Sequence, residues 1–326
     1  MDDDFSTTDL VLAVDKLKDY KAPGTDNILG EDFTVLLRAD PEDENSTLKN
    51  VELLKIIHAV ISSFWRREKV PPSLKRSILR PFLKGTDKDA TNPENYRPIS
   101  LLNTWMKLYD GMIKSRLVKK LEDGNLLSIA QTAYRKSLST VDHIFTLQEL
   151  IFEYRFYRIG PRGGSKPPLY FCFLDLRKAF DTIVRQILFQ KVYAKGITGK
   201  MFRVIKDLYS HNRARILVNG RLSREFEINS GVIQGSKLGP ILFNTFINDL
   251  LEELHKSPYG ATMGNFKIAT LGFADDIVLI SDNKSKMQKL LDICKNWSVK
   301  NKMDFNLLKC QAMVFNRQPR TIHRYF

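Results

Sequence analysis

The chain is poor in the residues that build metal or disulfide frameworks, with three cysteines and five histidines among its 326 residues. Cys172, Cys294 and Cys310 lie far apart in the sequence and form no Cys-x-x-Cys pair. That argues against a zinc ribbon or a disulfide scaffold and fits a reducing compartment. The histidines show no ligand spacing. No run of about eighteen apolar residues occurs, so no membrane-spanning helix is expected. The start of the chain, Met1 to Asp4, is acidic, which argues against a secretory signal. Repeats and extended low-complexity stretches are absent as well. The expectation is an intracellular protein, nuclear or cytoplasmic.

Positive charge, by contrast, is plentiful. Fifty-one lysines and arginines face 37 aspartates and glutamates, a net charge of +14, the footprint of a protein that meets a polyanion. The excess is spread, with clusters at Trp65-Arg-Arg67, Lys75-Arg76, Arg80 and Tyr154-Arg-Phe-Tyr-Arg158 running into Gly160–Pro168. In the last cluster aromatics interleave with arginines. Such a stretch can stack bases and contact phosphates; a solvated connecting loop is the plainer reading. The hydrophobic fraction of 43% is ample for a core, and the length allows one large domain or two modest ones.

Two acidic stretches carry the chemistry. Leu169-Tyr-Phe-Cys-Phe-Leu-Asp175 is an apolar, strand-like run that ends in an acid. Leu271-Gly-Phe-Ala-Asp275-Asp276-Ile-Val-Leu-Ile280 sets an acid pair between two β-prone segments, the pattern of a hairpin whose turn presents acids. If the first strand lies beside the hairpin, Asp175, Asp275 and Asp276 bring three hard oxygen donors together. Such a group suits Mg²⁺ and metal-assisted phosphoryl or nucleotidyl transfer. The bland alternative is solvated turn chemistry.

Between the acids lies Asn229-Ser-Gly-Val-Ile-Gln-Gly-Ser-Lys-Leu-Gly-Pro240. Gly231, Gly235 and Gly239 permit close backbone approach, and Pro240 suits the first helical position. Leu242, Phe243, Phe246, Ile247, Leu250, Leu251 and Leu254 then recur at helical spacing. Gln234 and Gly235 thus sit at a glycine-rich entry to a buried helix.

The remaining pattern predicts a first helix capped by Thr7 or Thr8, with Leu10, Val14 and Leu17 on one face, ended by Pro23-Gly24. A second helix is predicted over about 48–69 with Val51, Leu54, Ile57, Ile61 and Trp65 inward. After Pro71-Pro72, Ser77–Leu83 reads as a strand. Asn219-Gly220 marks a hairpin between 214–218 and 222–228. Met287, Leu290, Leu291, Cys294 and Trp297 mark a helix, and a final strand is expected around 311–315. Helices around a mostly antiparallel sheet make the chain α+β.

Taken in order, these residues resemble the reverse transcriptase domain of non-LTR (LINE-like) retrotransposons. Lys21-Ala-Pro-Gly-Thr-Asp-Asn-Ile28 is similar to that family's Lys-Ala-Pro-Gly-Pro-Asp-Gly-Ile opening, with Thr25 and Asn27 as departures. Asn95-Tyr-Arg-Pro-Ile-Ser-Leu-Leu102 matches its fingers motif. Gln131-Thr-Ala-Tyr-Arg135, followed by Ser139-Thr140, is similar to Gln-x-Gly-Phe-Arg, with Tyr134 for the usual Phe. The Asp175 run ending in Ala179-Phe180-Asp181, the 231–243 segment, the Phe-Ala-Asp-Asp box and Asn306-Leu-Leu-Lys309 follow in family order. Seven ordered motifs are specific where Phe-Ala-Asp-Asp alone is weak.

The resemblance implies a right-hand polymerase of palm and fingers: an N-terminal helical extension at 1–70, fingers at 71–168 and palm at 169–326, with a fingers-associated segment at about 185–228. It implies that Asp175, Asp275 and Asp276 hold two Mg²⁺ ions, with Mn²⁺ as a substitute. Lys84 and Arg97 would contact the nucleotide triphosphate. Phe180 would lie under the nucleotide sugar, unless it is simply a core aromatic. Gln234 and Gly235 would meet template and nascent pair, and Lys309 would stand near the leaving group. The implied partners are an RNA template, a DNA primer and deoxynucleoside triphosphates. The family's thumb and endonuclease would have to be supplied by a longer chain, so a fragment or decayed copy is an expectation too. Three other readings stay open: a relic that only binds nucleic acid, a group II intron-type reverse transcriptase, and a phosphohydrolase with Asp175 as nucleophile. The last predicts Asp-x-Asp, where the sequence has Asp175-Leu-Arg177.

Overall fold

The computed structural model describes residues 1–37, 50–156 and 167–315. Within them the helices are α1 (Thr7–Val14), α2 (Gly30–Leu37), α3 (Val51–Arg67), α4 (Thr104–Asp123), α5 (Thr140–Phe156), α6 (Ala179–Thr182), α7 (Arg185–Ala194), α8 (Gly199–Leu208), α9 (Gly239–Lys256) and α10 (Lys284–Asn301). The strands are β1 (Arg76–Leu83), β2 (Tyr96–Leu102), β3 (Leu169–Leu174), β4 (Arg213–Val218), β5 (Arg221–Leu222), β6 (Phe226–Glu227), β7 (Ala261–Met263), β8 (Phe266–Ile268), β9 (Thr270–Phe273), β10 (Asp276–Ser281) and β11 (Gln311–Phe315). The class is α+β, as the patterning implied. Among the described residues no helix is long and apolar enough to cross a membrane. The three cysteines are buried and unlinked.

The chain forms two compact units, residues 1–124 with 189–241 and residues 125–188 with 242–326. In the first, the sheet order is β2-β1-β4-β5 with β6 also on β4. β1 and β2 pair antiparallel, β1 and β4 parallel. The turn joining β4 to β5 places Asn219 and Gly220 at φ 49° and 75°, the left-handed pair that a two-residue hairpin requires. Helix α3 buries Leu54, Ile57, Ile61 and Trp65 as its spacing predicts. Val51 departs from that prediction at 50% exposed, because it lies in the opening turn. Residues 48 and 49 of the predicted helix lie outside the described residues, as does most of the Arg-aromatic cluster at 154–168.

Helix α1 is shorter than predicted and is capped by Ser6 rather than Thr7 or Thr8. The Ser6 hydroxyl accepts from the Asp9 N–H and the Asp9 carboxylate accepts from the Ser6 N–H, a reciprocal box. The helix stops at Val14, well before Pro23-Gly24. The segment 21–28 instead packs on the start of α4. Asn103 Oδ1 accepts from the Thr25 N–H (2.9 Å) and hydroxyl (2.7 Å), Asp26 accepts from the Thr104 N–H (3.2 Å), and the Thr104 hydroxyl donates to the Ile28 carbonyl (2.6 Å). A Cβ on Gly24 would stand 2.4 Å from the Asn103 nitrogen, so this approach admits only glycine.

In the second unit the sheet order is β11-β3-β10-β9, antiparallel throughout, beside a small β7–β8 hairpin. One face buries Leu169, Phe171, Leu271, Val278 and Ile280 with Leu150 and Tyr154 of α5. Residues 242–254 of α9 are its apolar spine; the seven residues predicted for that face are all fully buried. Phe246 meets Trp297 of α10 edge-on at 5.7 Å, and the Trp297 indole N–H donates to Asp249 (2.9 Å).

Candidate active site

The sheet of the second unit sets two of the acids face to face. β10 lies between β3 and β9, with Ile277 opposite Leu174. The next pair outward is therefore Asp276 and Asp175, and residues directly opposite in an antiparallel pair share a face. By the two-residue period this is the face of Phe171 and Val278. It opens toward the acids, where Phe173 and Phe273 are exposed. Asp275 sits with Ala274 in the turn between β9 and β10, and Ala274 adopts φ 56°.

The Asn306–Lys309 motif supplies a cation. Beyond β3 the chain continues beside residues 304–306: the Arg177 N–H donates to the Asp304 carbonyl and the Asn306 N–H to the Asp175 carbonyl (2.7 Å). A turn follows in which the Lys309 and Cys310 N–H groups donate to Asn306 O. It delivers Lys309 Nζ to 3.2 Å from Asp175 Oδ1, with the lysine side chain 65% exposed. Partial burial, and after it the Asp175 carboxylate, holds the Asp276 carboxyl above its ordinary value, while Lys309 opposes the shift. Phe180, on α6, stacks on Phe243 at 4.6 Å with the rings 15° from parallel. Its ring is half-buried, so both readings of Phe180 find support in its position.

Among the described residues, no three carboxylate, imidazole or thiol side chains are gathered into a cation cage. What stands at the end of the sheet is an opposed carboxylate pair with a third acid in the adjoining turn. Hard oxygen donors that repel each other are what a divalent ion relieves, so the residues present fit such an ion.

The other predicted residues belong to the first unit. Lys84 follows β1, where its N–H donates to the Asn95 carbonyl and its ammonium to the Glu94 carbonyl (2.8 Å). Arg97 is an exposed residue of β2, opposite Phe82. The glycine-rich segment docks on the same strand. The Ser100 N–H donates to the Gln234 carbonyl (2.8 Å), and a Cβ on Gly235 (φ 114°) would stand 2.4 Å from Ser100 O. Asp110 of α4, which carries no motif, anchors that segment. Its carboxylate accepts from the Ser236 hydroxyl (2.9 Å) and the Lys237 (2.5 Å) and Leu238 (3.2 Å) N–H groups. Sequence reasoning also gave Gln131 no role beyond its motif, although it contacts the turn that holds the acids.

Comparison with solved structures shows the class of fold. Apo telomerase from Candida tropicalis, truncated of its C-terminal domain, superposes with a TM-score of 0.55 at 12% identity, covering 90% of this chain and 62% of that one. Telomerase from Candida albicans bound to a telomeric RNA fragment gives 0.50 at 14% identity over 87% of this chain and 49% of that one. At the sequence level, the profile described as reverse transcriptase (RNA-dependent DNA polymerase) matches residues 84–323. The chain belongs to this family, as a LINE-like reverse transcriptase domain. The Pol polyprotein of the type-1 retrotransposable element R2 of Popillia japonica is 30% identical over 72% of this chain and 31% of its own length. The RNA-directed DNA polymerase of the mobile element jockey of Drosophila funebris is 28% identical over 93% and 31%. This chain thus spans just under a third of the length of these relatives.

Proposed function

We propose that the protein is an RNA-directed DNA polymerase of a LINE-like mobile element, adding deoxynucleotides to a DNA primer on an RNA template. The observation that carries this reading is the register that sets Asp276 against Asp175 at the open end of the sheet, in a chain of this family. Family members use divalent metal ions. We assign Asp175, Asp275 and Asp276 as the residues that hold two Mg²⁺, with Mn²⁺ as a substitute. Such ions supply charge neutralisation at the primer 3′-hydroxyl and the nucleotide triphosphate.

The chain's own groups do the rest. Phe180, held flat by Phe243, offers a fixed ring against which the sugar of the incoming nucleotide rests, so that a 2′-hydroxyl is crowded. Lys84 and Arg97 bring cations to the triphosphate, and Gln234 with Gly235 offers backbone to template and nascent pair. Lys309, already paired with Asp175, stands ready to give a proton near the leaving group. Membership in a family of RNA-dependent DNA polymerases supports an RNA template as partner. A nuclear or cytoplasmic place of action fits that chemistry.

In this reading residues 1–70 form an N-terminal extension, 71–168 the fingers and 169–326 the palm. The grouping of 189–241 with 1–124 supports a fingers association for about 185–228, whereas residues 125–168 share the unit of the acids rather than that of β1 and β2.

The test is Mg²⁺-dependent extension of a labelled DNA primer on an RNA template, beside an Asp275→Ala/Asp276→Ala variant. The expected loss in the variant is roughly a thousandfold or more, with RNA binding intact. Equal extension by both, or none by the native chain with salt-sensitive RNA binding retained, would reject the polymerase reading, the latter in favour of a nucleic-acid-binding relic.

A further inference from the structure

We propose that Gln131 is a positioning residue for the acid pair: its side chain fixes the left-handed turn at Ala274 and thereby sets the rate of nucleotide addition. The inference rests on the polymerase reading and assigns a residue that touches neither substrate nor metal.

Gln131 is 1% exposed, and its amide is spent on backbone. Oε1 accepts from the Ala274 N–H (2.8 Å) and the Ala133 N–H (3.1 Å), while Nε2 donates to the Ala274 carbonyl (3.2 Å). Both polar groups of one residue are thus held by one side chain. That residue adopts φ 56°, which an alanine does not favour, and it immediately precedes Asp275 and Asp276. A turn in this conformation persists only where its surroundings over-determine it, and Gln131 is the part that grips it directly.

The grip is itself anchored. Ala130 and Thr132 bond along β9: the Gly272 N–H donates to the Ala130 carbonyl (2.7 Å) and the Thr132 N–H to the Gly272 carbonyl (3.1 Å). From α9, Asn248 accepts from the Ser128 N–H (2.7 Å) and Asn244 donates to the Ala133 carbonyl (2.8 Å). The Arg135 guanidinium closes the segment on itself by donating to the carbonyls of Ser128 (2.8 Å) and Gln131 (3.1 Å). A buried side chain needed only for packing would not have to match a donor and an acceptor on the residue before the acids. Small displacements of reacting groups cost rate steeply, so the clamp acts on turnover rather than on affinity.

The experiment compares native chain, Gln131→Met and Gln131→Glu. Glutamate keeps an acceptor for the two N–H groups but not the donor to the Ala274 carbonyl. For Gln131→Met, kcat for primer extension should fall roughly 10- to 100-fold, with the KM for nucleotide and the Kd for RNA within about twofold of native. The Ala274 amide should exchange with solvent about tenfold faster or more, while the Ile280 amide, bonded to the Ala269 carbonyl, keeps its native rate. Gln131→Glu should recover part of both losses. Native kcat, native Ala274 exchange, or a loss confined to KM would overturn the proposal. Should Gln131→Met fail to fold, Gln131→Glu decides alone: reduced kcat at native KM supports the role and native kcat rejects it. Should the native chain extend no primer, the polymerase reading fails separately. Ala274 amide exchange then decides for Gln131, faster exchange in Gln131→Met with native exchange at Ile280 supporting the clamp and native exchange at Ala274 rejecting it.

Discussion

Two carboxylate sites, one in each unit, differ in how their charge is met. Asp110 is buried to 2% exposure and surrounded by donors: the Ser236 hydroxyl, the Lys237 and Leu238 N–H groups and, further off, the Lys237 ammonium. Asp276 lies at the open end of a sheet, facing a second carboxylate and a lysine. Both carboxyls sit above the ordinary aspartate range. For Asp110 burial does this against the pull of its donors; for Asp276 partial burial is joined by the charge of Asp175. A carboxylate whose lone pairs are filled by its own fold has no capacity left for a ligand, whereas two opposed carboxylates store repulsion that a cation can release. The first pattern holds a loop in place, and the second is the one on which the proposed metal site rests.

The largest effect should come from breaking the saturated site. Asp110→Ala would leave the Ser236 hydroxyl and two N–H groups facing a void, at a cost of about 3 kcal/mol. Thermal unfolding should shift down by roughly 4–5 °C for a chain of this size. A shift under about 2 °C would mean that the glycine-rich segment is held by other contacts and that the contrast between the two aspartates is overdrawn.

Phe180→Ala sharpens the comparison from the side of the open face. With the ring gone from its stack on Phe243, ribonucleotides should enter, and the preference for deoxynucleotides measured as a ratio of kcat/KM should drop about 10- to 100-fold. Unchanged sugar selectivity would make Phe180 a core aromatic. The missing ring pair costs the folded state about 1 kcal/mol beyond the lost burial of a half-buried ring, and the change in sugar selectivity separates this variant from Asp110→Ala.

How far the sequence reaches can be judged from the same residues. The spine of α9, the inward face of α3 and the Asn219-Gly220 hairpin are local patterns, and each was readable because period and turn chemistry suffice. The two acidic stretches were readable as candidates, but their meeting was conditional on β3 lying beside β10, a pairing across about a hundred residues that no local pattern encodes. The parallel pairing of β1 with β4 escaped for the same reason. Asp110 escaped because an aspartate within a helix carries no signal of what it faces. The cap at Ser6 was missed by one residue, since three consecutive polar residues, Ser6, Thr7 and Thr8, all suit the position and only Asp9 selects among them. Helix α2 went unforeseen because Tyr20 and Asn27 take left-handed φ values in the turns before it, and such turns depend on what segment 21–28 docks against.

The smallest effect concerns the sign of the stored repulsion. A carboxyl whose folded pKa is raised costs stability when ionised, and the cost disappears as pH falls through that value. Asp276→Asn should therefore stabilise the metal-free protein at neutral pH, by about 1–2 °C in Tm given how exposed the side chain is. The gain should shrink as pH falls toward the ordinary aspartate range, because the native carboxyl protonates there in either state. Added Mg²⁺ should reverse the order, raising the Tm of the native chain more than that of Asp276→Asn, since binding to the folded state adds stability in proportion to affinity. A destabilised Asp276→Asn at neutral pH without metal would show that Asp276 is held by donors as Asp110 is. The distinction between a filled carboxylate and an open pair would then fail at the residue on which it rests.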